Sequence, residues 1–327
     1  MKPPIDRCEI AALTGKLDRL DDPPDPAGWL RLVRTLYAVG RRDLPLGRLF
    51  EGHVDALQIV SRHGTSAQCR AAQSAARAGA VMGVWNADLP DGAAGLVDNR
   101  LSGGKAFASG AGILTHALIT ADAEGGRQLL LIDLAAVPPA IDRSWWRVSG
   151  MQRSETHLVR WSDAPVDCAA LIGAPGDYVG QPWFGGGALR FAAVQAGGVA
   201  AIVDRVRDHL VAHGRAGDPY QAARLADLFL AAQAAADAVA AAAREWRTDN
   251  VEATLAHVAA ARVAVYRTGE EALTLAQAAV GVHAMFVDNP LTDMLADLAV
   301  YLRQPGPDAQ RALTGAAVAD GLLTPAL

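Results

Sequence analysis

The glycine-rich stretch LSGGKAFASGAG at residues 101–112 is the most informative part of this sequence, and it matches neither of two common nucleotide-binding loops. Gly103-Gly104-Lys105 is not a phosphate loop, because it lacks the upstream glycine spacing and the Ser or Thr after the lysine. Gly110-Ala111-Gly112 is half of a dinucleotide fingerprint, without the third glycine or the helix that would follow it. The stretch therefore has to be interpreted together with its surroundings.

The surrounding residues, 83–180, consist of short apolar runs separated by Gly, Pro and Asp. Residues 117–120 and 129–134 flank a DAEGG turn, which is typical of a β-hairpin. Residues 157–161, HLVRW, alternate in character as a half-buried strand does. Repeated short strands at this spacing predict a small antiparallel barrel or sandwich.

The regions on either side have helical periodicity. Before residue 82, apolar residues recur at three- and four-residue spacing: Trp29, Leu32, Val33, Leu36 and Tyr37. After residue 188 several apolar stripes follow, and Ala-rich faces there favour a close-packed bundle of four helices. We therefore predict an α+β chain of three domains, with helices in 1–82, strands in 83–180 and a helical bundle in 181–327.

Composition narrows the class of protein. The chain has 327 residues, 51% hydrophobic content and a net charge of −5, which excludes a disordered chain. A pI near 5.9 argues against a nucleic-acid partner. Of the 30 basic residues only Lys2, Lys16 and Lys105 are lysines, a bias typical of a GC-rich bacterial genome.

Other features predict a soluble cytoplasmic protein with no metal. The three cysteines lie far apart and form no CxxC pair, which favours a reducing compartment. The N-terminus has no apolar signal region, and the apolar stretch 225–243 is interrupted by acidic and amide residues, so no membrane span is expected. His209 and His213 have the spacing of a metal pair, but no third ligand is evident, which favours a structural role near the end of a helix.

Three segments in order resemble the acyl-CoA dehydrogenase family of flavoproteins. They are residues 101–112, residues 145–166 (WWRVSGMQRSETHLVRWSDAPV), and a C-terminal element with Gln277, Gly281 and the helix start NPLTDMLADL at 289–298. The resemblance implies an N-terminal helical domain, a central antiparallel β-barrel and a C-terminal four-helix bundle. It also implies FAD between barrel and bundle, an acyl thioester or related small molecule as substrate, and a homodimer or homotetramer.

Carried over residue by residue, the resemblance implies a set of cofactor-binding positions. Phe107 takes the place of the aromatic that covers the flavin ring, and Ser109 that of the hydroxyl near flavin N5. Trp85 takes the place of an aromatic on the preceding strand, and Ala87 and Asp88 hold the pyrimidine edge. Gln277 and Gly281 hold the phosphate-ribose portion. From the residues alone, ordinary barrel core is an equally good interpretation of Phe107 and Trp85.

The sequence departs from the family at its catalytic positions. The family's catalytic Glu would fall at residues 303–305 or at Leu189, before Arg190, and neither place has a carboxylate. An Arg-x-x-Phe-Gly element that contacts FAD phosphates is replaced by HGRAG at 213–217, so FAD is expected to bind weakly or not at all. Asp88 stands where a neutral hydroxyl usually meets the flavin.

Two hypotheses follow. The first, slightly favoured, is an FAD-dependent oxidoreductase of acyl-CoA dehydrogenase type that lacks the usual base. The second is a family member that is inactive or does not dehydrogenate, acting as a monooxygenase-like enzyme or as a binding or assembly subunit.

Overall fold

The computed structural model describes residues 3–303 and 306–325. Within these ranges the order of elements is helices, then strands, then helices, as the sequence predicts. The N-terminal helices are α1 (Arg7–Thr14), α2 (Pro26–Arg42), α3 (Leu44–His63) and α4 (Ser66–Arg77). The strands are β1 (Met82–Trp85), β2 (Gly95–Val97), β3 (Arg100–Ala108), β4 (His116–Ala123), β5 (Gly126–Asp133), β6 (Ala140–Asp142), β7 (His157–Pro165) and β8 (Leu171–Ile172). The C-terminal helices are α5 (Trp183–Gly186), α6 (Ala188–Ala212), α7 (Pro219–Arg244), α8 (Val251–Val280), α9 (Pro290–Tyr301) and α10 (Pro307–Ala319).

Several helices begin at an Asp or Asn followed by Pro. Asp25, Asp218 and Asn289 each accept a hydrogen bond from a backbone N–H in the first turn of α2, α7 and α9. Proline suits the next position, because its missing N–H would have no partner inside the helix and its φ is already helical. These dipeptides fix where three of the helices start.

The eight strands form one mixed, mostly antiparallel sheet. Its order is β6-β7-β3-β2-β4-β5-β8, and β1 pairs in parallel with the first half of β4, from Met82↔His116 to Trp85↔Ile119. The hairpin β4–β5 forms around the predicted turn, with Ala123 opposite Gly126. The prediction of a closed barrel is wrong for the described residues, because the end strands β6 and β8 do not pair with each other. They are only three and two residues long, too short to supply a closing ladder.

Small residues allow α2 and α6 to pack closely. A methyl group at Gly40 would lie 2.2 Å from the carbonyl oxygen of Val194, and one at Gly197 would lie 2.1 Å from that of Tyr37. No larger side chain fits at either crossing point, so the glycines set the approach of the N-terminal helices to the C-terminal ones. One continuous core, which includes Trp29, Val159 and Leu228, joins all three regions.

Two helical stretches of the described chain are long and apolar enough to cross a membrane by length and composition, 183–212 and 219–244. The most apolar window of the first is 78% buried inside the fold, whereas that of the second is 33% buried. The second stretch is α7, whose outer face exposes Phe229 and Leu230.

Candidate functional site

An exposed aromatic surface lies where β3 bends. Phe107 is 55% exposed although it sits between buried neighbours on the strand. The Trp145 ring stands edge-on to it at a centroid distance of 4.9 Å, and the Trp146 ring follows at 6.4 Å. We call Phe107, Trp145 and Trp146 the aromatic wall. A solvent-facing phenylalanine flanked by two tryptophans is suited to a planar aromatic ligand.

A β-bulge holds Phe107 outward. In β3 the pairing with β7 shifts between Lys105↔Val159 and Ala108↔His157, so two residues oppose one. Phe107 has φ of 53°, in the left-handed region that costs a side-chain-bearing residue about 1–2 kcal/mol. Bulges of this kind redirect a side chain, and strained residues concentrate at functional sites. The fold thus keeps Phe107 exposed even though its backbone conformation is strained.

The other side of the wall is tied to α9. Trp146 Nε1 donates to the carbonyl oxygen of Met151 at 3.1 Å, and Met151 N–H donates to Asp297 Oδ1 of α9 at 2.5 Å. Burial raises the pKa of Asp297 to about 6, although the hydrogen bond from Met151 opposes this shift. The wall is therefore supported by both the sheet and the C-terminal helices.

Ser109 belongs to a buried chain of hydroxyl groups. Ser154 and Thr156 are 2.7 Å apart through their side-chain oxygens, and Thr156 donates to Ser109 Oγ at 3.0 Å. Because Ser109 Oγ accepts this hydrogen bond, its own hydroxyl proton is available to donate to an acceptor at the site. Trp85 lies on the opposite side: it is 1% exposed, and its Nε1 donates to the Ser109 carbonyl oxygen at 2.9 Å. Trp85 therefore packs behind Ser109, in the core.

Ala87 and Asp88 lie beside β3, next to Phe107. Ala106 N–H donates to the carbonyl oxygen of Ala87 at 2.8 Å, and Asp88 forms a bridge with Lys105. Ala87 is exposed, whereas the carboxylate of Asp88 pairs with Lys105 Nζ at 2.6 Å and with Arg127. Partial burial opposes ionisation of Asp88, but the hydrogen bonds from both cations prevail and lower its pKa. The Asp88 carboxylate is thus ionised and paired with Lys105 and Arg127.

Gln277 and Gly281 lie at the far end of α8. Gly281 has φ of 72°, and its N–H donates to the carbonyl oxygen of Gln277, which ends the helix. Close by, the rings of His209 and His213 are 4.1 Å apart at the end of α6. The pKa of His209 is lowered by burial and by nearby positive groups, His213 and His283 among them. The lowered pKa favours the neutral form of His209, so the positive charge at this end of the bundle comes from Arg205 and Arg215.

Within residues 3–303 and 306–325, no group of three or more His, Cys, Asp or Glu side chains, these histidines included, is arranged to hold a metal ion.

The two expected base positions hold no carboxylate. Leu189 is fully buried, and Arg190 pairs with Asp55 and donates to Gln58 of α3. Arg303 pairs with Glu270 at 2.9 Å; residues 304 and 305 lie outside the described ranges, and they are Gln and Pro. Asp308, the next carboxylate along the chain, is 96% exposed on α10.

A buried carboxylate from another helix lies near these positions. Glu51 of α3 pairs with Arg48 at 2.5 Å, and Tyr301 of α9 donates to its Oε1 at 3.5 Å. Burial raises the pKa of Glu51, although Arg48 opposes this. Sequence reasoning missed Glu51, because only the packing of α3 against α9 brings it here. It also missed Trp145 and Trp146 as site residues, although a Trp pair outside any strand is a visible signal.

No protein-family model and no curated protein matches the sequence. Solved structures do match. TdsC from Paenibacillus sp. A11-2, in complex with FMN and indole, is 16% identical over 96% of both chains, with a TM-score of 0.79. TdsC is also described as dibenzothiophene monooxygenase.

Two further structures are similar at comparable coverage. KijD3, in complex with FMN and a dTDP-linked amino-keto sugar, is 19% identical over 97% of this chain and 85% of that one, with a TM-score of 0.77. Butyryl-CoA dehydrogenase from Megasphaera elsdenii is 16% identical over 91% of this chain and 83% of that one, with a TM-score of 0.74. The chain therefore has the acyl-CoA dehydrogenase fold. Identities this low show the fold alone.

Proposed function

We propose that this protein is a flavin-dependent oxidoreductase that binds the flavin ring against the aromatic wall. The observation that carries the proposal is Phe107, kept exposed by a strained bulge and flanked edge-on by Trp145. A flavin needs an apolar surface for its ring and a few placed hydrogen-bonding groups at its polar edge. Phe107 supplies the surface, and Ser109 and the exposed backbone at Ala87 supply polar groups next to it.

We further propose that FMN binds at least as well as FAD. The resemblance by itself predicts FAD, but the loop at 213–217 has His213 and Ala216 at the positions of the arginine and phenylalanine that would contact its diphosphate. One lost charge-assisted contact weakens binding by about 1.5–3 kcal/mol. FMN is named in the structures of TdsC and KijD3.

The reaction that we favour is monooxygenation of a small organic molecule. Removal of an α-proton from an acyl thioester needs a positioned base, and the Leu189 and 303–305 positions have none. Monooxygenation requires no such base: one atom of O₂ enters the substrate, the other leaves as water, and the reduced flavin supplies two electrons when bound. Phe107 positions the ring, and Ser109 holds a proton at the polar edge. The name of TdsC supports this class.

A second candidate is dehydrogenation with a displaced base, and Glu51 favours it. Its carboxylate is buried, its pKa is raised, and it contacts Tyr301 near the end of α9. General bases in enzymes are often carboxylates tuned in this way. Against it, Glu51 is already paired with Arg48 at 2.5 Å, which favours a structural role.

The test is a flavin titration of the purified apoprotein with FMN and with FAD, followed by flavin fluorescence and absorbance. We expect saturable quenching by about one flavin per chain and a shifted visible spectrum, with FMN no weaker than FAD. Absence of binding for both flavins would overturn the proposal. For the reaction class, the reduced holoprotein is mixed with ¹⁸O₂ and indole or dibenzothiophene, and products are analysed by mass spectrometry. Incorporation of one labelled atom supports monooxygenation; reduction of the bound flavin by acyl-CoA supports the second candidate.

A further inference from the structure

Lys105 occupies an unusual environment for a lysine. Its side chain is 0% exposed, in a chain with only three lysines. Lysine is among the residues most rarely buried, because taking its ammonium group out of water is costly. Here Nζ donates to Asp88 Oδ1 at 2.6 Å, Thr120 Oγ1 at 2.9 Å and the Asn86 carbonyl oxygen at 3.3 Å. All three protons of the ammonium group therefore have acceptors.

Lys105 has no carboxylate to itself. Asp88 is shared between Lys105 and Arg127, so one carboxylate serves two cations. The other nearby acid, Asp122, is 65% exposed and lies 3.6 Å from Arg127, where water screens it. The fully buried Lys105 ammonium is therefore matched only by a carboxylate that it shares with a second cation.

Two of the partners of Lys105 belong to the short segment that runs past Phe107. Lys105 Nζ donates to the carbonyl of Asn86 and to the side chain of Asp88 from the buried side, while Ala87 between them is exposed. Ala87 is tied to β3 through the Ala106 N–H at 2.8 Å. An ammonium group on the Asn86 carbonyl also polarises that peptide and strengthens the Ala87 N–H as a donor. Segment 86–88 is therefore held in place by Lys105, with an ammonium group on its buried side.

On the basis of the proposed function, we propose that Lys105 is a positioning residue that fixes segment 86–88 along the pyrimidine edge of the flavin and places a positive charge beneath it. A reduced flavin that has lost its N1 proton carries negative charge at this edge, and charge near N1 is a means by which proteins tune flavins. Lys105 should therefore favour the reduced state. A purely structural lysine would affect folding or affinity but not the balance between oxidised and reduced flavin.

The experiment compares the FMN-loaded protein with its Lys105→Met variant by anaerobic equilibration against a reference dye. We expect the equilibrium between reduced and oxidised flavin to shift about tenfold toward the oxidised form, which is about 30 mV for a two-electron couple. The FMN dissociation constant should also rise, since segment 86–88 loses its support. Arg100→Met is the matched control: Arg100 is an exposed cation at the other end of β3, paired with Asp163.

Arg127→Met provides a second variant in case burial of methionine at 105 prevents folding, because Arg127 is partly exposed. It should shift the flavin equilibrium in the same direction by a smaller factor. Folded variants that bind FMN with an unchanged equilibrium overturn this inference and leave the proposed function standing. An unaltered protein that binds neither flavin overturns both. A shift in Arg100→Met equal to that in Lys105→Met would show that the effect is a non-specific loss of charge.

Discussion

The variant Phe107→Ala should show whether Phe107 binds the flavin or only stabilises the fold. The ring is 55% exposed, and an aromatic side chain has about 150–250 Å² of surface, so a ligand lying on it would cover about 100 Å². At about 25 cal/mol per Å² this is about 2–3 kcal/mol, a loss of roughly 30- to 150-fold in flavin affinity. Without ligand the variant loses mainly the edge-on contact with Trp145, about 0.5–1.5 kcal/mol of unfolding free energy.

The assay is a fluorescence-quenching titration with FMN and FAD, combined with urea unfolding of the same preparations. Phe184→Ala is the matched control, because Phe184 is 41% exposed and stands edge-on to Tyr178 at 5.2 Å on another element. It should lose similar stability and no flavin affinity. If Phe107→Ala binds flavin as tightly as the unaltered protein, the argument from the aromatic wall fails and Phe107 is an ordinary surface residue.

Three further predictions concern pH, assembly and reactivity. Because the pKa of Asp297 is raised to about 6, its contribution to stability is full below about pH 4 and is lost as the pH rises through 6, by up to about 3 kcal/mol. The free energy of unfolding in urea should therefore fall between pH 4 and pH 6, and Asp297→Asn should remove this pH dependence. The protein should be a homodimer or homotetramer by light scattering, and Leu230→Asp on the exposed face of α7 should give monomers; a monomeric unaltered protein at micromolar concentration contradicts this. Acyl-CoAs of short, medium or branched chain should not bleach the bound flavin under anaerobic conditions; rapid bleaching that disappears in Asp308→Asn would instead assign the base to that residue.

Much of the architecture could be predicted from local sequence, because its signals act over a few residues. Asp-Pro and Asn-Pro pairs start α2, α7 and α9, since capping and the fixed φ of proline are local effects. The DAEGG turn sets the β4–β5 register in the same way. Sheet closure was predicted wrongly, because the lengths of β6 and β8 depend on pairing between distant segments.

The residues of the candidate site also differ in how far the sequence could predict them. Residue identity alone shows that position 189 has no carboxylate. The grouping of Phe107, Ser109, Ala87 and Asp88 at one site is an expectation from the family resemblance, and the structure places Ala87 and Asp88 beside β3.

The direction in which each side chain faces depends on the tertiary structure. A one-residue bulge turns Phe107 outward, and the core packing of β1 turns Trp85 inward. Lys105 and Arg127, which are 22 positions apart, meet at the carboxylate of Asp88 and draw it away from the exposed surface. Contacts of this kind depend on how distant strands pack, and the energies that select among them are small differences between burial, hydrogen bonding and charge, which no local pattern records.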